Sequence, residues 1–147
     1  EDAIGWHKTI MEADLAKSFA HEYARGKDKL SATLREMIER GQRCLALDYN
    51  RAVEEASVLR DTLTGVFEHY DAIVTPAATG EAPVGLESTG SPIFCTLWTL
   101  CGTPAITVPI LQGESGLPIG VQLVGPKGDD ARLLRTARWL ANFVDKE

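Results

Sequence analysis

Between Cys101 and Gly125 two apolar runs are parted by a short polar turn, CGTPAITVPI and LPIGVQLVG around LQGESG. Alternation places Ile106, Val108 and Ile110 on one face of the first run, and Ile119, Val121 and Leu123 on one face of the second. That period of two is the mark of a β-hairpin with a buried face. Pro104, Pro109 and Pro118 are read as run ends, where a missing backbone donor costs least. Gly102, Gly120 and Gly125 permit a turn or a close approach of neighbouring backbone. Gln122 is the one polar side chain inside the second run. A lone hairpin is marginal in water, so the rest of the chain must cover it.

The cover reads as helical. Ile10, Leu15, Phe19 and Tyr23 predict a first helix over 3–24. Ser31 offers an N-cap to a second, with Leu34, Met37 and Ile38 on one face, Gly41 as its stop and Arg40 at its C-terminal dipole. Tyr49, Val53, Ala56, Leu59, Leu63, Val66, Phe67 and Tyr70 recur at threes and fours, the strongest amphipathic signal in the chain. Ala72 to Thr75 then reads as a short buried strand closed by Pro76. The segment ATGEAPVGLESTGSP is a long loop, a type that is functional or disordered more often than not. IFCTLWTLCG reads as a buried helix stopped by Gly102, with a strand as the rival. Asp129 or Asp130 caps a last helix striped by Leu133, Leu134, Ala137, Leu140, Ala141 and Val144.

These elements predict one α/β domain over 1–147: helical to residue 70, strand, loop and hairpin over 71–126, and a final helix over 129–145. So narrow a sheet implies further strands from elsewhere. With 44% hydrophobic residues the chain can build a real core, and its net charge of −6, with bases interspersed among acids, excludes a nucleic-acid or anionic-membrane footprint. No run is long enough to span a bilayer. Cys44, Cys95 and Cys101 lie in apolar surroundings without metal spacing, which points to reduced thiols and a cytoplasmic setting.

Catalytic patterns are sparse. His7, His21 and His69 show no paired spacing, so no metal site is expected. The adjacent pairs Glu54, Glu55 and Asp129, Asp130 diverge on a helix and cannot converge on one substrate atom. Ser115 in GESGL lies between strands instead of on a nucleophile elbow, and Ser88 and Ser91 have no evident base and stand as candidates for substrate contact alone. GPKGDDARLL opens a helix N-terminus, where two aspartates would repel a phosphate.

Four segments nonetheless form a set. Asp71 to Pro76, Ala82 with Pro83, Gly102 to Pro109 and Gly116 to Gly125 resemble the D-x-x-x-x-P, A-P, G-x-P-A-x-x-x-P and G-L-P-x-G-x-Q-L-x-G motifs of the amidase signature family. The upstream LREMIERGQRCLALDYNRAVEEASVLRDTL is similar to the helices that precede those motifs. The resemblance implies helices packed on a mixed β-sheet, the C-terminal part of an amidase that hydrolyses carboxamides with a Ser, a cis-Ser and a Lys base. No Gly/Ser-rich nucleophile loop occurs here, and Lys17, Lys27, Lys29 and Lys127 sit at polar positions, so no catalytic residue is assigned. It further implies no cofactor and no metal, and a substrate-binding wall comprising Thr79, Phe94 and Trp98. Packing alone is the competing account of the aromatic pair. The implied partners are a small-molecule amide and the N-terminal catalytic part of the same enzyme, with neither nucleic acid nor membrane. Two alternatives stay open: a binding or assembly module, homo-oligomeric through its sheet edge, and part of an amidotransferase subunit.

Overall fold

A computed structural model describes residues 2–144, which divide into two compact units between Val58 and Leu59. The first unit is helical. Helix α1 (Asp2–Ser18) and helix α2 (Ala20–Gly26) replace the single first helix expected, because the backbone departs from helical geometry at Phe19. The bonds from Phe19 N–H to Leu15 and from Tyr23 N–H to Phe19 persist, so the break is a local kink. Helix α3 (Ala32–Gln42) is capped by Ser31, whose Oγ accepts the Leu34 N–H at 3.3 Å. Gly41 does not stop this helix. It is buried, and a Cβ there would strike the backbone carbonyl of Glu12 in α1, so its lack of a side chain serves helix–helix approach. Beside it Arg40 grips the buried Glu12 carboxylate, with Nε at 2.9 Å from one oxygen and Nη2 at 2.7 Å. That contact holds the Arg40 guanidinium above its ordinary pKa.

Helix α4 (Ala46–Phe67) has residues in both units, and the second unit continues with β1 (Ile73–Pro76), α5 (Ile93–Cys101), β2 (Ala105–Gln112), β3 (Pro118–Val124) and α6 (Asp130–Val144). The strand reading of IFCTLWTLC is excluded: it is helix α5, ended by Gly102 at φ 64°, in the left-handed region that favours glycine. Asp129 caps α6, its carboxylate accepting the Arg132 N–H at 3.1 Å; residue 145, the expected end of that helix, lies outside the described residues.

The sheet has the order β1-β3-β2. Both neighbours are antiparallel to β3, so every pairing among the described residues is antiparallel where the resemblance implied a mixed sheet. The parallel relation survives only between β1 and β2, which share a direction across the α5 crossover but have β3 between them. Pro76 closes β1 as its last residue, paired opposite Val121. Pro109, by contrast, lies inside β2, where the register shifts between Val108 and Leu111, an irregularity that tolerates a missing donor.

Each sheet face buries a different set. Val108 and Leu123 pack with Leu133 and Ala137 of α6, and Ile106 and Ile110 join them, as the alternation predicts. On the other face Val124 packs with Trp98 of α5 and Phe67 of α4. Arg132 of α6 reaches back to the start of β1, its Nη2 2.9 Å from the Asp71 carboxylate.

Candidate functional site

The α5 face of the sheet changes character along β3. At Val124 it is apolar core, and two residues back Gln122 is buried and polar. Gln122 lies opposite Thr75 of β1 and Thr107 of β2, so a polar row crosses all three strands. Its Nε2 donates to Thr75 Oγ1 at 3.0 Å and to the Phe94 carbonyl at 2.9 Å, joining β1 to the first turn of α5. The Cys95 thiol donates to Gln122 Oε1 at 3.8 Å, which meets the amide's remaining need. One step further along, Gly120 leaves space that the Thr107 methyl occupies, and Ala77 donates its N–H to the Gly120 carbonyl at 3.2 Å. The polar end of the sheet is therefore where β1, its following loop and the start of α5 meet.

Removing the amide tests this joint. Gln122→Leu keeps the volume and deletes both donated bonds, which is expected to cost about 2 kcal/mol in urea unfolding, while Gln122→Glu costs more at neutral pH because a buried carboxylate cannot donate.

The expected wall residues fall in unequal places. Thr79 is exposed in the loop after β1, Phe94 is half-buried in the first turn of α5, and Trp98 is buried at 9% exposure against Phe67 and Val124. The serines take structural parts. Ser88 Oγ accepts the Gly90 N–H, and Ser91 Oγ accepts the Ile93 N–H at the start of α5. Ser115 is exposed in the hairpin turn and presents its N–H to Glu81. Burial pushes the Cys101 thiol up in pKa, away from the thiolate that nucleophilic chemistry needs. His69, in the turn after α4, has its Nδ1 3.2 Å from the Gly65 carbonyl in the last turn of that helix. No cluster of metal-ligating side chains occurs among the described residues.

Among the contacts that escaped the sequence reading are the Glu12–Arg40 clamp and the seat of Glu81 on the hairpin turn. Their partners stand 28 and 34 residues apart, and neither element carries a local pattern that announces the pairing.

A family model described as Amidase matches residues 7–134. The chain belongs to the Amidase family. Among curated relatives it is 34% identical over 108 residues to a glutamyl-tRNA(Gln) amidotransferase subunit from Hyphomonas neptunium, a match covering 67% of this chain and 22% of that protein. The chain thus spans about a fifth of the length of the curated relatives it matches. Among solved structures, an amidase is 28% identical with a TM-score of 0.79, covering 95% of this chain and 35% of its own. A 6-aminohexanoate cyclic dimer hydrolase, 22% identical with a TM-score of 0.77, covers 97% of this chain and 36% of its own and shares the fold. Helices on a sheet in this order are therefore part of an Amidase-family domain, and the family match extends into both units.

Proposed function

We propose that these 147 residues are the C-terminal segment of a cytoplasmic amidase that hydrolyses carboxamide C–N bonds other than peptide bonds. The segment acts as one domain that supplies sheet strands and part of the substrate-pocket wall. The nucleophilic Ser, the cis-Ser and the Lys base come from the catalytic part of the same enzyme. The observation that carries this reading is the polar row of Thr75, Gln122 and Thr107 at the foot of α5, next to a loop of mostly exposed residues. Such a surface can present a few polar groups and Phe94 to a small amide, whereas it holds no nucleophile with a base beside it. In this arrangement Thr79 and Phe94 line the acyl side, and Trp98 supports them from the core.

The reading frame upstream of Glu1 should then encode a Gly/Ser-rich nucleophile loop and its lysine, and the longer polypeptide should release ammonia from carboxamides. Absence of that loop, with turnover undiminished when this segment is deleted, would contradict the assignment.

A second reading has its own support in the 34% identity to a subunit of an amidotransferase. In it the same segment serves a protein that releases ammonia for transfer. Ammonia release that requires an acceptor and a partner protein would favour this reading, and release from a free amide alone would favour the first. A stand-alone assembly module is the remaining alternative, and self-association of the chain through a sheet edge would mark it.

A further inference from the structure

The loop after β1 is almost bare of apolar contacts, yet one of its side chains is seated. Glu81 is half-buried while residues 82–92 are all exposed. Its Oε1 accepts the backbone N–H of Ser115 at 2.9 Å and of Leu117 at 3.3 Å. Those amides belong to the β2–β3 turn, which is held independently: Gly113 N–H donates to the Leu117 carbonyl at 2.9 Å, and Gln112 Nε2 donates to the Gly116 carbonyl at 2.9 Å. A Cβ on Gly113 would occupy the space of the Glu81 side chain, so the glycine makes room for the carboxylate. Hydrogen bonds from amides to a carboxylate are roughly twice as strong as neutral ones, which suits a single contact holding a loop.

We propose that Glu81 is the positioning residue of the loop that carries Thr79, clasping it to the hairpin turn so that the turn sets where this part of the wall stands. The loop is tied at two points. Ala77 is fixed by its bond to Gly120, Glu81 by the turn amides, and Thr79 lies midway between them. The hairpin turn thereby becomes a determinant of the wall's geometry although it contributes no residue to the polar row. Displacing the carboxylate frees the loop while leaving the strands paired, because no ladder bond passes through Glu81. This inference deepens the wall reading given above and rests on it for its consequence, though the clasp itself is a property of this chain.

The test is hydrogen exchange of the 147-residue chain, read by mass spectrometry on peptides covering 78–84 and 113–118, with β3 as the internal control. Glu81→Ala should raise exchange in both peptides several-fold and leave β3 unchanged. Gly113→Ala should do the same, because the nearest atoms its methyl meets all belong to the flexible Glu81 side chain, which can be evicted at little cost to the fold. Glu81→Gln keeps an acceptor oxygen and should restore most of the protection. The double variant Glu81→Ala with Gly113→Ala should match either single one. Unchanged exchange in Glu81→Ala, no rescue by glutamine, or an additive double variant would each overturn the clasp. Since nothing here depends on turnover, such a failure leaves the amidase assignment standing, and a failure of amide hydrolysis in the longer polypeptide leaves the clasp standing.

Discussion

Trp98→Ala is expected to destabilise the unit that contains the sheet by about 3–5 kcal/mol, the range for deleting a large aromatic from a core. The indole is 9% exposed, and its neighbours Phe67 and Val124 are at 5% and 0%, so the surrounding side chains have little freedom to refill the space. α5 carries no acidic residue in its first turn and no side-chain cap, so its docking rests on packing together with bonds at its two ends, from Gln122 to the Phe94 carbonyl and from Arg60 Nε to the Cys101 carbonyl. Losing the indole should therefore release α5 as a whole. Phe94→Ala makes the contrast, since a half-buried ring gives up roughly 1–2 kcal/mol of transfer energy. Urea unfolding of both variants, followed by tryptophan-independent far-ultraviolet dichroism, measures the difference. A small effect at Trp98 and a large one at Phe94 would invert the division between core and wall.

Gly41→Ala is the second large effect, and its sign is set by two opposed terms. Alanine favours the α3 helix by about 1 kcal/mol over glycine. Against this, the new Cβ would meet the backbone carbonyl of Glu12, and backbone cannot rotate out of the way as a side-chain tip can. Overpacking of this kind costs about 1–3 kcal/mol and more where the contact is rigid, so destabilisation wins. The helices α1 and α3 must part, and the Arg40 guanidinium next in sequence loses its grip on both Glu12 oxygens. An isolated α3 peptide carrying the substitution should be more helical, while the helical unit of the whole chain unfolds at lower urea. Gain of stability in both would show that the helices do not approach at Gly41.

How much of this was legible differs by the range of the interaction. The hairpin faces, the Ser31 and Asp129 caps and the Gly102 stop depend on residues a few positions apart, and their patterns survive in the sequence. The α6 stripe was legible for the same reason, with Leu133 and Ala137 buried on the sheet and Leu140 and Ala141 beside them, except for Leu134, which is 57% exposed because its position next to Leu133 turns it off that face. Gly41 was misread because a glycine near a helix end satisfies the rule for a stop and the rule for close packing equally well. Only the position of α1 decides between them. Pro109 was misplaced because alternation says nothing of register, and the shift after Val108 is what lets a proline stand inside β2. The polar row was half visible: Gln122 stood out among apolar neighbours, but its partners Thr75 and Phe94 lie 47 and 28 residues away. Glu81 gave no signal at all, since a glutamate in a polar loop is the ordinary case.

The exposed edges fit the same account. Val74 on β1 is 63% exposed, and Trp139 and Phe143 stack on the outer side of α6 at a centroid distance of 5.7 Å while both remain exposed. A segment covering about a fifth to a third of its relatives is expected to leave such surface bare.

On the proposed reading the nucleophile, the cis-Ser and the Lys base come from the catalytic part of the enzyme and not from these residues. A hydroxamate-forming assay on the purified 147-residue chain, with short aliphatic and aromatic carboxamides as acyl donors, tests it most directly. The account predicts a rate indistinguishable from buffer. Turnover that disappears on replacing Ser91 or Ser115 with alanine would contradict it, because it would place a working nucleophile where Ser115 is read as a turn residue and Ser91 as an acceptor at the start of α5.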